Sequence, residues 1–294
     1  MNHKSGFVNI IGNPNVGKST LLNILVGERL SIITNKAQTT RHRILGIVNH
    51  ENHQIVFSDT PGIIKPAYQL QESMMDFVKT AFEDADILLY MIEIGEKELK
   101  DEKLFMRIKE SKIPLILLIN KIDKSTQEQL ENQTTFWKQT LPNATIIPIS
   151  AKENFNIDVV LNTILELLPI SEPYFPKDAL TDKSERFFVN EVIREKILIN
   201  YDKEIPYSVE VETEEFKEEE NIIKIKSVIM VERDSQKGII IGHKGNALKK
   251  VSTEARLELE KFFDKKIFLE IFVKINKDWR NNPYQLKRFG YKEK

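Results

Sequence analysis

The sequence predicts an α/β domain built on a mostly parallel sheet, followed by a small α+β domain. Three observations predict it. Over residues 6–170, short apolar runs alternate with segments of helical periodicity, the pattern of βαβ units. Pro169, Pro173 and Pro176 then fall within eight residues, a density that resists regular structure and marks a boundary. Beyond Ser184 the order changes to one helix, two alternating segments, a long helix and a last alternating segment. A chain of 294 residues has the length of two domains, read here as 1–170 and 184–294 with 171–183 as a linker.

In the first domain, Phe7–Ile11, Ile44–Asn49, Gln54–Ser58, Ile87–Ile92, Leu115–Asn120 and Thr145–Ile149 read as strands, being short and apolar. Only residues 50–53 separate the second from the third, too few for a helix, so those two form a hairpin. Helical stretches, such as Ser19–Val26, Lys100–Lys109, Glu128–Gln139 and Asp158–Leu167, lie between most of the strands. In the second domain, Ser184–Asn200 carries Phe187, Phe188, Val192, Ile193 and Ile197 at helical spacing. Tyr207–Phe216 and Ile222–Val231 alternate as antiparallel strands, Lys244–Phe263 is a long helix, and Ile267–Ile275 a final strand. The order is αββαβ, with a glycine-containing loop before the second helix and a basic tail.

Composition excludes several classes. There is no cysteine, hence no disulfide framework, cysteine nucleophile or Cys-ligated metal. His3, His42, His50, His53 and His243 show no metal-ligand spacing. No signal-like stretch opens the chain, and the most apolar run, Ile113–Ile119, is far short of the roughly 18 residues that span a bilayer. A soluble, intracellular protein is expected. The formal net charge of −1 hides a separation of charge. Glu210–Glu220 holds seven Glu and one Lys and reads as a solvated strand edge, whereas residues 237–294 carry a net +8 that suits phosphate. Asp84 and Asp86 read as ordinary helix-end polarity.

The chemistry concentrates after strand ends. Gly12, Asn13, Pro14, Asn15, Val16, Gly17, Lys18 and Ser19 fit G-x-x-x-x-G-K-[ST] between a strand and a helix, with Thr20 next. Such a loop turns backbone N–H groups around a β-phosphate at the positive end of a helix. Lys18 would set a compact cation against the β- and γ-phosphates, and the Ser19 hydroxyl would ligate Mg²⁺. Asn120, Lys121, Ile122 and Asp123 close a strand, at the edge where α/β sheets bind ligands. A carboxylate there can accept two hydrogen bonds from guanine, and adenine has no matching donors. Ser150, Ala151 and Lys152 follow the last strand and are placed to back the base.

Asp59, Thr60, Pro61 and Gly62 end the strand 54–58. Asp59 is placed to hold Mg²⁺ through water, and the Gly62 amide to approach a γ-phosphate. In the loop 31–41, Thr39 and Thr40 compete to complete the Mg²⁺ shell. Each motif alone is readable as a polar loop; in this order, each after a strand, they specify a guanine-nucleotide site. Farther on, Ile241, Gly242, His243, Lys244 and Gly245 form a G-x-x-G loop before a helix beginning near Asn246, with Lys249 and Lys250 just after. Alone that pattern is weak, and a plain turn is its bland reading.

These residues resemble the five guanine-nucleotide motifs of translation-factor-type GTPases. Together with Gln38–Arg43 and the αββαβ tail, they are similar over nearly the whole chain to the Era family of bacterial P-loop GTPases. The G-x-x-G segment resembles a KH domain of bacterial topology, whose loop clamps single-stranded RNA backbone. The resemblance implies that Thr40, rather than Thr39, senses Mg²⁺, and that GTP is hydrolysed to GDP and phosphate. It further implies binding to 16S rRNA near its 3′ end and to the small ribosomal subunit during assembly, by a monomeric cytoplasmic protein with peripheral contact to the membrane. In such GTPases an Asn at the place of Asn15 can help hold K⁺. Ile63 stands where Ras-like enzymes carry a water-orienting Gln, so slow intrinsic turnover is expected, with Lys18 and Thr40 as the catalytic candidates. Alternatives are an RNA clamp with little hydrolysis, or a relative acting in tRNA modification or at a membrane; the terminal domain argues against the latter.

Overall fold

The computed structural model describes residues 3–291. The chain packs into two units. The first takes the residues up to Ser31, Thr40–Ala67 and Gln71–Asp182, and the second takes Ile32–Thr39, Tyr68–Leu70 and the residues from Lys183 onward.

The first unit runs β1 (Lys4–Ile11), α1 (Lys18–Val26), β2 (Ile44–Asn49), β3 (His53–Asp59), α2 (Gln69–Glu83, from Gln71 on), β4 (Ile87–Glu93), α3 (Glu102–Glu110), β5 (Leu115–Asn120), α4 (Gln127–Thr140), β6 (Thr145–Pro148) and α5 (Ile157–Leu167). The strand order is β2-β3-β1-β4-β5-β6, parallel throughout except for the β2–β3 hairpin. Strand β4 is buried at every residue but Glu93, as a strand covered on both faces must be. Parallel pairing brings the carboxyl ends of β1, β3, β5 and β6 to one edge, so motifs far apart in sequence leave the sheet together.

The sequence reading gives α2 no bounds, although it takes Asp84 and Asp86 as helix-end polarity. Leu70, Met74, Val78, Ala81 and Phe82 recur at helical spacing and are buried, but Glu72, Asp76 and Lys79 dilute the stripe to a single face. The proline-rich segment also departs from expectation. Residues 171–180 form no helix or strand, yet they pack onto the first unit. The fully buried Gln54 explains why: its side-chain oxygen accepts from the amides of Tyr174 at 2.7 Å and Phe175 at 3.0 Å. Tyr174 also stacks 5.0 Å from Phe7, and the Ile47 amide donates to the Leu180 carbonyl at 2.8 Å.

The second unit contains α6 (Glu185–Asn200), α7 (Ile205–Ser208), β7 (Glu210–Glu218), β8 (Ile222–Val231), α8 (Asp234–Ile241), α9 (Asn246–Phe263), β9 (Lys266–Ile275) and α10 (Pro283–Arg288). Its sheet runs β7-β8-β9, antiparallel then parallel, with an irregularity between Thr213 and Glu215. Val189, Ile193 and Ile197 of α6 and Val251, Ala255 and Leu259 of α9, each set spaced by four, close the core.

One boundary moves. Ile205–Ser208, with Pro206 in its first turn, is helical where a strand was expected to begin. The long helix begins at Asn246, the start read after the G-x-x-G loop, because Lys244 and Gly245 take left-handed backbone at φ 51° and 79° and keep it from reaching back to Lys244. The apolar run 239–241 is the last turn of α8, and a short helix α10 occupies the basic tail; Lys292–Lys294 lie outside the described residues. On the acidic edge strand, Glu214 pairs with Lys274 at 2.8 Å and Glu218 with Lys265 at 3.0 Å. Glu210 instead is buried and accepts from the Tyr291 hydroxyl at 2.7 Å. Within this unit Arg194, 1% exposed, holds Glu191 through two bonds of 2.8 and 2.6 Å and donates to the Thr39 carbonyl.

Candidate functional site

The loop after β1 is organised around a buried cation. Lys18 opens α1 and is 6% exposed; its ammonium donates to the carbonyls of Gly12 at 3.1 Å and Asn13 at 2.9 Å. Burial pulls its pKa down to about 8, against the opposing fields of Asp59 and Glu96. A desolvated ammonium held this way is satisfied by an anion at its side. The Asn13 side chain does something the sequence reading, which counts it among the nucleotide contacts, does not anticipate. Its amide nitrogen donates to Glu96 and to the Glu98 carbonyl at 3.0 Å, while its oxygen accepts from the Lys100 amide at 3.2 Å. Asn13 thus pins residues 96–100, and burial raises the pKa of Glu96 beside it.

Oxygen donors converge beside Lys18. The Ser19 hydroxyl donates to Asp59 Oδ2 at 2.6 Å and lies 2.9 Å from Thr40 Oγ1, which reaches the same Asp59 oxygen at 3.3 Å. Asp59 is fully buried, and its other oxygen, Oδ1, has no hydrogen-bond partner. Burial raises its pKa, opposed by Lys18 and by the hydroxyls of Ser19, Ser31 and Thr40. Hard oxygens around an unsatisfied buried carboxylate suit Mg²⁺. Thr39 stays out of this set, since its hydroxyl donates to the Lys36 carbonyl and meets Thr34 Oγ1, both at 2.6 Å.

The segment after β3 is locked to the same loop. The Thr60 hydroxyl donates to the Ile10 carbonyl at 2.7 Å, and the Ile63 amide donates to the Gly12 carbonyl at 3.1 Å. A Cβ at Gly62 would stand 2.7 Å from Pro14 Cα, so packing against the loop already demands glycine there. Pro61 is buried as well, and the Ile63 side chain is fully so.

At the ends of β5 and β6 the roles divide. Asn120, 3% exposed, donates to the Val16 carbonyl at 2.7 Å and accepts from the Ala151 amide at 2.9 Å, bracing one loop against another. Asp123 is exposed, and the Ser150 hydroxyl bonded to it at 2.7 Å holds its carboxyl below the usual range. Lys121, in left-handed backbone at φ 64°, pairs with Glu93; the neighbouring Ile122 amide donates to the Ile149 carbonyl at 3.4 Å. Lys152 is exposed and pairs with Glu153 at 2.6 Å. Glu93 and Glu96 are additions to the sequence reading. The signal for Glu93 is an acid at a strand end, as for Asp59.

In the second unit, residues 242–245 turn α8 into α9. The Gly242 amide donates to the Gly238 carbonyl at 2.9 Å and the Gly245 amide to the Gly242 carbonyl at 3.2 Å. Gly242 has φ 69°, and a Cβ on it would lie 2.6 Å from Ala247 Cβ. His243, Lys244, Lys249 and Lys250 are exposed, while Ile241 packs partly against the core. Among the described residues no helix is long and apolar enough to cross a membrane.

Comparison with known proteins adds independent findings. A family model described as a 50S ribosome-binding GTPase matches residues 7–121, and one described as a KH domain matches residues 204–280. GTPase Era of Syntrophus aciditrophicus (strain SB) is 48% identical over 293 residues, covering 99% of this chain and 96% of that protein. GTPase Era of Alkaliphilus metalliredigens (strain QYMF) is 45% identical over 294 residues, covering 99% and 100%. A crystal structure of Era in complex with MgGDPNP and nucleotides 1506–1542 of 16S ribosomal RNA superposes with a TM-score of 0.94 at 41% identity, covering 99% of this chain and all of that one. A variant of Aquifex aeolicus Era bound to GDP and AlF4⁻ gives the same TM-score, identity and coverage.

Proposed function

This chain belongs to the Era family of GTPases, and from that premise we propose that it is a GTP-hydrolysing switch that binds the 3′ end of 16S rRNA and assists small-subunit assembly. The observation that carries the reading is the near-complete structural match to a relative holding both a Mg-bound GTP analogue and nucleotides 1506–1542. The site geometry supports it residue by residue. The backbone of Gly12–Ser19 cradles the phosphates, and Lys18 neutralises charge that builds on the β–γ bridge as the terminal phosphate leaves. Ser19, Thr40 and Asp59 would hold Mg²⁺, which supplies charge neutralisation between the β- and γ-phosphates. Asp123, oriented by Ser150, reads guanine, while Asn120 keeps the base and phosphate loops in register.

Ile63 offers no polar group to orient water, so hydrolysis is slow until another group acts. The loop Gly242–Gly245 faces RNA phosphates, with Lys249 and Lys250 adding the salt-sensitive share of affinity. We infer that the protein works in the cytoplasm, where small subunits assemble. Multiple-turnover hydrolysis, measured with and without small subunits or an RNA of the 16S 3′ end, tests the reading. Stimulation by the RNA is the expected result. An RNA that binds tightly while turnover stays at the background rate overturns the switch and leaves a clamp.

A further inference from the structure

Arg43 ends the segment Gln38–Arg43, three residues past Thr40 and just before β2, and none of the nucleotide or metal roles assigned above falls to it. Its guanidinium, on a side chain 13% exposed, grips Asp84 with two parallel contacts, Nη1 to Oδ2 at 2.6 Å and Nη2 to Oδ1 at 2.9 Å. Nε donates to the Ser58 hydroxyl at 2.7 Å, and Nη2 also reaches Asn9 Oδ1 at 3.3 Å. Asn9 completes the ring: its amide nitrogen donates to Asp84 Oδ1 at 2.7 Å and to the Ala81 carbonyl at 2.5 Å. Asn9 and Ser58 are fully buried. A carboxylate just past a helix C-terminus opposes the helix dipole, so Asp84 stands there because Arg43 holds it, not as ordinary helix-end polarity.

The cluster joins four chain segments, and three of them lead at once into the nucleotide site. Gly12 follows Asn9 by three residues, Asp59 follows Ser58 directly, and Thr40 precedes Arg43 by three. The fourth, α2, continues the segment that opens with Asp59–Gly62. Three extended residues span at most about 10 Å, so the stem from Arg43 to Thr40 is short.

We propose that Arg43 and Asp84 are positioning residues for GTP hydrolysis: their paired contacts clasp the stem of residues 40–43 to the end of α2 and so hold Thr40 against Ser19 and Asp59. The inference rests on the reading that Thr40 meets Mg²⁺. Only the γ-phosphate state uses Thr40, so loosening the clasp acts on GTP and spares GDP. Asn at position 84 keeps the shape and loses the charge; Lys at position 43 keeps the charge and loses the two-pronged grip.

The test measures single-turnover GTP hydrolysis across a Mg²⁺ titration, affinity for fluorescent GDP, and thermal melting for Asp84→Asn, Arg43→Lys and the double variant, with Thr40→Ala as control. Each single variant is expected to slow hydrolysis about tenfold and to raise the Mg²⁺ needed for half-maximal rate, as misplaced groups do. GDP affinity should stay within about twofold, and the double variant should be no worse than either single, since the pair acts as one unit. Should Asp84→Asn not fold, Arg43→Lys carries the same measurement. Unchanged hydrolysis and Mg²⁺ dependence in folded variants, with Thr40→Ala impaired, overturns the clasp alone. Equal losses of GTP and GDP binding overturn it too, as those mark a general fold role. A Thr40→Ala protein with normal Mg²⁺ dependence removes the underlying reading of Thr40 instead.

Discussion

Two glycine-bracketed loops, 12–17 and 242–245, each hand the chain to a helix, and they are built in opposite ways. In the first, the cation is inside: Lys18 is 6% exposed, held by two carbonyls, and Asn120, Asn13 and Gly62 tie the loop to three other segments. In the second, His243 and Lys244 stand in solvent, and the turn is shaped by backbone bonds and the packing of Gly242. A preformed cradle with a desolvated cation makes strong, specific contact with one small ligand, since charges act harder away from water. Exposed cations on a turn make weaker contacts that salt screens, which suits a polymer whose phosphates repeat.

The largest expected effect breaks the specificity of the first loop system. Asp123→Asn should cost about 2–4 kcal/mol of GTP affinity, two hydrogen bonds to a charged acceptor at roughly 1.5–3 each with partial compensation. Xanthosine triphosphate, with a carbonyl where guanine has its amine, should bind the variant better than GTP does. Equal wild-type affinities for ATP and GTP in equilibrium titrations would sink the assignment of Asp123.

A second experiment sharpens the contrast of burial. Replacing both His243 and Lys244 with Asp keeps both glycines, hence the turn, and sets two carboxylates against RNA phosphate. Affinity for single-stranded 16S 3′-end RNA should fall about tenfold or more, with a shallower salt dependence and GTP affinity within a few-fold of wild type. Filter binding across a salt series decides it: normal RNA affinity would reduce the loop to a turn. The smallest effect concerns Asn15, in left-handed backbone at φ 65°. Hydrolysis in KCl should exceed that in NaCl at matched ionic strength by about severalfold, because a bound K⁺ would replace part of the charge an arginine finger supplies. Equal rates in the two salts discard that role.

Where the reading by sequence succeeded, the determinants were local. Leu115–Asn120 and Ile222–Val231 match their strands end to end, the first because it is a short apolar run after a proline, the second because its apolar and polar residues alternate at the strand period. Helix α2 has no bounds in the sequence reading because an amphipathic stripe with acids between its apolar residues shows its limits only once a core covers one face. The start of α9 agrees with the helix read from near Asn246, and left-handed residues at 244 and 245 are what keep it from reaching back to Lys244.

By itself, the sequence carried the two-domain plan through the alternation over 6–170, the proline cluster and the changed order beyond it, and carried the guanine-nucleotide reading through Gly12–Ser19, Asp59–Gly62 and Asn120–Asp123 taken together. Gly242–Gly245 pointed to RNA only with its basic neighbours and its αββαβ setting. Spacing treats Thr39 and Thr40 alike and only the family resemblance favoured Thr40; the tertiary structure adds the partners that part them, Ser19 and Asp59 for Thr40 against Thr34 and Lys36 for Thr39. The same holds for Asn120 as a brace, Asn13 as a pin, and Arg43 with Asp84, forty-one residues apart. The reason is physical. A motif is a property of neighbours along the chain, whereas a hydrogen bond between distant side chains exists only after strand order and burial have brought both partners out of water into one place.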